Sequence, residues 1–133
     1  MIKQEKQEIL AAAAAEVRRK AHAPYSHFCV GAALLAEDGD IISGVNLESS
    51  SYGLSVCAER NTLAAAVAQG KTRFKAMAVS SRGGVTPCGA CRQVIYDICG
   101  KIDIILADEE GKIKKVTDSK KLLPDAFSDK DLE

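Results

Sequence analysis

Between Gln4 and about Ala21, the apolar positions Leu10, Ala13, Ala14, Val17 and Ala21 recur at helical spacing, the face of an amphipathic helix. The alanine run at 11–15 lies inside this segment. Alanine is the best helix former and allows close packing, so the run belongs to a core-facing helix and not to a low-complexity tail. Pro24 then opens a loop, APYSHF (23–28). In VGAALLAEDGDIISGV (30–45) two apolar stretches flank Asp38-Gly39, the dipeptide of a tight hairpin, and predict two paired strands.

The second half of the chain alternates helix and strand signals. CAERNTLAAAVAQG predicts a helix from about Cys57 that stops at Gly70, a residue favoured just past a helix end. KAMAVSS (75–81) is a short apolar strand. Thr86 is suited to cap the next helix, with Pro87 at its first position, and that helix runs to about Cys99 before Gly100 stops it. IDIILA (102–107) reads as a buried strand, DEEG as a turn, and KIKKV (112–116) as a weak edge strand. KLLPDAF (121–127) has room for a final helical turn, limited by Pro124.

The order is therefore α-β-β-α-β-α-β-β. Helices interleaved with strands imply an α/β fold, a three-layer α/β/α sandwich around a five-stranded mixed sheet. No repeat or linker interrupts residues 1–133, and the length suits a single domain.

Charge narrows the function. Eighteen basic and eighteen acidic residues sum to zero, whereas a protein that grips a nucleic-acid backbone usually carries a basic excess. The one dense basic cluster, KIKKVTDSKK (112–121), is interrupted by Asp118 and reads as a solvated face. The opening MIKQEKQEIL lacks the basic-then-apolar order of a secretory signal, and no apolar run approaches the roughly 18 residues of a membrane span. The expectation is a cytoplasmic protein with no nucleic-acid and no membrane partner. Disulfides are rare in that compartment, so five cysteines, an odd number, point to metal or catalytic use of some of them.

Cys88 and Cys91 stand three apart at the start of a predicted helix, so their thiols emerge on one face. Cys57 stands at the start of the helix before. Free N–H groups and the helix dipole favour a thiolate at each place, the form that binds metal. Two adjoining helix N-termini would gather three thiolates at the end of the sheet where α/β folds place their sites. Three protein ligands leave a tetrahedral zinc one open position, the mark of a catalytic rather than a structural site. Cys29, Cys99, His22 and His27 are candidates for a fourth ligand, but none has metal-ligand spacing from the other three, and water fits better. Three thiolates leave the site with net negative charge. Arg60 is placed to donate to one of the sulfurs and withdraw part of it. Glu59, two residues from Cys57, points elsewhere around the helix and can take a proton from water at the open position. Cys99 reads as a small buried apolar residue, and His22 and His27 are left without a role.

CAER (57–60) followed by PCGACRQ (87–93) resembles the zinc-dependent cytidine deaminases. The likeness extends through APYSHF, VGAALL, GVNLES, SYGL, CAER, PCGACRQV and LLPDAF, in the order of the short, homotetrameric members of that family. The resemblance implies zinc on Cys57, Cys88 and Cys91, one ion per chain, with Glu59 as the catalytic proton shuttle. It implies that Phe28 packs on the pyrimidine ring, that Asn46 and Glu48 bind ribose hydroxyls, and that the backbone at Ala58 helps recognise the base. Tyr52 and Phe127 would reach the sites of neighbouring subunits in a homotetramer.

Two positions depart from the family pattern. Cys29 stands where proline usually follows SHF, and Ser49 where asparagine commonly follows the ribose-binding glutamate. The implied reaction is hydrolytic deamination of cytidine and 2′-deoxycytidine to the uridine counterpart with release of ammonia, as in pyrimidine salvage. A polynucleotide deaminase would need phosphate contacts that zero net charge and 5% aromatic residues do not favour. A non-catalytic zinc module would leave Glu59 without purpose. A redox pair at CGAC would leave both Cys57 and Glu59 unexplained.

Overall fold

The computed structural model describes residues 1–133. Helix α1 (Gln4–Arg18) leads into strands β1 (Gly31–Ala36) and β2 (Ile41–Val45). Helix α2 (Ala58–Ala68), strand β3 (Phe74–Ser80), helix α3 (Gly89–Cys99), and strands β4 (Asp103–Ala107) and β5 (Ile113–Asp118) follow, with a single turn α4 (Ser119–Leu122) after them. The expected order of elements is present, and the five strands form one sheet in the order β2-β1-β3-β4-β5. Strand β1 is antiparallel to both β2 and β3, β3 runs parallel to β4, and β5 returns antiparallel. The parallel pair needs a crossover, which α3 supplies. The hairpin turns at Asp38-Gly39 as expected, with Gly39 at φ +98°.

Successive side chains of a strand face opposite ways, and the two faces are filled differently. On one face Leu10, Ala11 and Ala14 of α1 pack on Ala33, Leu35, Ala76, Ala78, Ile105 and Ala107. Small residues on both sides bring the helix close to the sheet, and the alanine run finds its purpose here. On the other face α2 and α3 lay Leu63, Ala66, Cys91 and Ile95 over Leu34, Met77, Val79, Ile104 and Leu106. These are the three layers expected.

Two boundaries differ from the sequence pattern. Helix α1 ends at Arg18 and not near Ala21, because the chain turns to set His22 in a bridge with Leu47. Helix α3 begins at Gly89 with Cys88 as its N-cap, so Thr86 does not cap it and Pro87 lies outside it. Arg92 provides the reason. Its guanidinium accepts no helical role but donates to the Pro87 carbonyl at 2.8 Å and the Thr86 Oγ1 at 3.1 Å, holding both residues in the loop before the helix.

Register fixes the end at which the site lies. Gly31, the first residue of β1, pairs with Ser80, the last of β3. The loop to Cys88 departs from that end of the sheet.

Candidate functional site

Cys57 is the N-cap residue of α2 and Cys88 the N-cap residue of α3, and neither helix receives a side-chain cap. Both thiols therefore sit at helix ends with unpaired N–H groups. Cys91 lies one turn into α3, and the three Sγ atoms fall within 4.8 Å of one another. The Cys57–Cys88 separation is 3.9 Å and the Cys88–Cys91 separation 3.5 Å. Zinc–sulfur bonds of 2.3 Å in tetrahedral array place sulfurs about 3.8 Å apart, so the donor set fits such an ion in number, softness and spacing. Cys88 is exposed, Cys57 half-buried and Cys91 buried, which leaves the cluster open on the Cys88 side. Cys29, Cys99, His22 and His27 lie outside the cluster.

Arg60 approaches as its sequence position suggested. Its Nη2 donates to the Cys57 sulfur at 3.5 Å. Cys57 is held as the thiolate, its pKa drawn down to about 5 by the hydrogen bond from Cys91 and then by Arg60. Cys91 is shifted the opposite way, since its thiol donates that bond and is buried.

Glu59 is only 5% exposed although it lies in the first turn of a helix. Burial pushes its carboxyl up to about 6, and the neighbouring Cys57 charge adds to the rise. A carboxyl so placed is able to hold or release a proton near neutrality. Ala58 beside it is fully buried at the helix start.

The segment carrying Phe28 is tied down by two side chains from just beyond β2. Asn46 accepts from the Val30 N–H and donates to the Phe28 carbonyl, each at 2.9 Å. Glu48 Oε1 accepts from the N–H groups of Tyr25 and Ser26, at 3.0 and 3.1 Å, and its other oxygen accepts from the Ser26 hydroxyl. Both residues thus position the loop as well as facing its surroundings. His27 adopts φ +60°, the left-handed conformation, at the bend before Phe28. The Cys29 thiol is half-buried there, while the Cys29 carbonyl accepts from Arg18. Ser49 accepts from Ser51 and donates its own N–H to Ser55, so this departure closes the loop locally.

Tyr52, five residues before Cys57, and Phe127 near the end of the chain are 73% and 56% exposed. Tyr52 meets the ring of Tyr25 at 5.6 Å between centroids. Gln93 donates to the Phe127 carbonyl at 2.8 Å, tying the segment after α4 to α3.

Three contributors were not singled out from the sequence. Ser26 links Glu48 to Phe28, whose N–H donates to the Ser26 hydroxyl. Arg82 stands over the Phe28 ring at 5.6 Å from its centre. Arg92 holds the loop before Cys88 and reaches the Leu122 carbonyl as well. Only Arg92 carried a local signal, its place directly after Cys91 on a helix whose first turn bears the thiols.

Comparison with known proteins agrees with this geometry. The family model described as "Cytidine and deoxycytidylate deaminase zinc-binding region" matches residues 4–106. The cytidine deaminase of Sporosarcina psychrophila is 49% identical over 128 residues, covering 94% of this chain and 93% of its own. That of Halalkalibacterium halodurans is 44% identical over 122 residues, covering 90% and 92%. The crystal structure of cytidine deaminase from Burkholderia pseudomallei superposes with a TM-score of 0.86 at 43% identity, covering 95% of this chain and all of that one. With the matched region containing all three thiols and Glu59, the chain belongs to the cytidine and deoxycytidylate deaminase family.

Proposed function

We infer that this protein is a zinc-dependent enzyme that hydrolyses cytidine and 2′-deoxycytidine to uridine and 2′-deoxyuridine, releasing ammonia. The observation that carries the reading is a buried carboxylate, Glu59, on the same helix turn as one of three converging thiols. Cys57, Cys88 and Cys91 would hold the ion, one per chain. Zinc in that position lowers the pKa of a water molecule and so supplies the nucleophile that C4 of the cytosine ring requires.

The chain's own groups do the rest. Glu59 accepts the first proton the attacking water gives up and delivers it to the ring nitrogen. It then takes the proton of the new C4 hydroxyl and passes it to the amino group, which leaves as ammonia as the C4–N bond breaks and the C4 carbonyl forms. Its raised pKa suits both halves of that transfer. Phe28 offers a ring face to the pyrimidine, and the backbone at Ala58 lies at the free end of α2 for contact with the base. Asn46 and Glu48 are assigned to the ribose hydroxyls, fixing C4 beside the nucleophile and making the attack effectively intramolecular. Arg60 withdraws charge from Cys57, so that three thiolates do not blunt the metal.

We assign residues 1–133 to one deaminase domain acting in pyrimidine salvage, in the cytoplasm, where thiols stay reduced. Assembly is read as a homotetramer in which Tyr52 and Phe127 reach neighbouring sites. Support comes from their exposure, which leaves both aromatic rings free to meet another copy of the chain.

The test is direct. Zinc per chain is quantified, and loss of the cytidine absorbance band is followed for the wild type and for Glu59→Ala. Zinc near one per chain in both, with turnover reduced about 10²- to 10⁴-fold in the variant, is expected of a proton shuttle. Zinc bound without turnover of either nucleoside by the wild type would overturn the assignment.

A further inference from the structure

At the end of the sheet opposite the thiols, a groove is lined by Lys3, the residue before α1, Lys6 of α1, Lys75 of β3, Lys101 before β4, and Lys121 of α4. Its apolar lining includes Leu35, Phe74 and Ile102. All five ammonium-bearing side chains belong to exposed residues. Two carboxylates, Asp103 and Asp118, share the lining, and one oxygen of each is tied to a backbone N–H. Asp103 accepts from the Ile2 N–H at 2.7 Å, and Asp118 from the Lys121 N–H at 2.8 Å. Only Lys121 has a carboxylate oxygen within ion-pair distance, at 4.0 Å. Lys3, Lys6, Lys75 and Lys101 take part in no salt bridge. In a chain whose charges sum to zero, five lysines against two carboxylates in one concavity is a segregation of charge.

The register separates this groove from the thiols. Leu35 and Phe74 stand at the end of β1 and the start of β3, whereas the loop to Cys88 leaves from the end of β3. Seven residues of β3 span the gap, about 20 Å at 3.3 Å per residue. The lysines therefore do not serve the deamination chemistry.

We propose that this groove is a second binding site, for a small ligand carrying two or more phosphate groups. Unpaired ammonium groups on a concave surface concentrate a multivalent anion, and several donors from separate elements meet its oxygens at once. The two carboxylates at the floor disfavour a polynucleotide threaded along the groove, since its evenly spaced phosphates would pass them. A compact anion is held by the rim lysines and avoids them.

The zinc-loaded, assembled protein is titrated with inorganic pyrophosphate by calorimetry at low ionic strength. Saturable binding at one site per chain is expected, weakening as salt rises. In Lys75→Gln/Lys101→Gln the affinity is expected to fall at least about tenfold, with cytidine turnover and thermal stability unchanged. In Lys20→Gln/Lys115→Gln, which removes two exposed lysines outside the groove, affinity is expected to hold. Absence of binding to the wild type overturns the proposal. So does equal weakening in both double variants, which is the signature of net charge and not of a site. Nucleoside triphosphate binding tighter than pyrophosphate would assign the apolar lining a role in holding the nucleoside part. Equal affinity would confine recognition to the phosphates.

Discussion

Arg60 donates from Nη2 to the sulfur of Cys57 across 3.5 Å, three residues apart on the first turn of α2. Its Nε is buried without a partner, and no carboxylate forms a salt bridge with the guanidinium, so its one side-chain hydrogen bond goes to the sulfur. Charge withdrawn from Cys57 is charge the metal no longer receives. Arg60→Gln is therefore expected to keep zinc near one per chain while kcat falls about 10- to 100-fold, the usual effect of losing a group that supports a ligand. Metal analysis beside steady-state kinetics checks it, and an unchanged kcat would remove Arg60 from the chemistry.

Asn46 joins two segments through both ends of its amide, accepting from Val30 and donating to the Phe28 carbonyl. Asn46→Ala leaves both backbone groups without these partners in a half-buried setting. The expected cost is about 1–3 kcal/mol in denaturant unfolding. Phe28 then loses its fixed position, so KM for cytidine should rise by a larger factor than kcat falls. A change in stability with KM untouched would limit Asn46 to a structural role.

Glu48 gives a pH-dependent counterpart. Its carboxyl is held below the ordinary glutamate range by the Ser26 hydroxyl and then by the Ser26 N–H. A depressed pKa in the folded state means that the carboxylate stabilises the fold above the ordinary value. That contribution fades as pH falls through the folded value. Glu48→Gln should therefore melt below the wild type at neutral pH, and the gap should close in acid below the ordinary glutamate range. A gap independent of pH would show that the charge on Glu48 plays no part in holding the Tyr25–Ser26 turn.

The strands and helices were legible because their signals are local: Asp38-Gly39 turns a hairpin, Gly70 and Gly100 stop helices, and apolar periods mark the faces between. The pairing of Cys57 with Cys88 and Cys91 was legible for a related reason. Thiols at two successive helix starts can meet only if those starts adjoin, and an α/β sheet brings them together. What escaped depends on contacts across the fold. The start of α3 slipped two residues because Arg92 claims Thr86 and Pro87. The anchoring of the loop by Glu48 needed Tyr25 and Ser26, more than twenty residues away, to be placed against it. Burial of Glu59 needed α3 to be laid beside α2. No spacing in the sequence signals that Arg82 would stand over Phe28.

The close approach of α1 to the sheet rests on a residue that lacks a side chain. A Cβ on Gly31 would run into the Ala14 carbonyl oxygen and lie 2.7 Å from the Arg18 N–H nitrogen, both of them backbone atoms that a rotamer change cannot move. Gly31→Ala must therefore push α1 off β1 or distort the strand, opening the packing of Leu10, Ala11 and Ala14 on Ala33 and Ala78. Overpacking of this kind costs about 1–3 kcal/mol, read as a lowered denaturation midpoint. Gly31 also begins the strand end from which the thiol-bearing loop is supported, since it pairs with Ser80. Zinc content should stay near one per chain, because the thiols lie on α2 and α3 across the sheet from α1. Turnover should fall only as far as the shift of β1 disturbs Val30, which Asn46 holds. Stability equal to the wild type would mean that α1 has slack against the sheet, and that its alanine run is not there to bring the two backbones together.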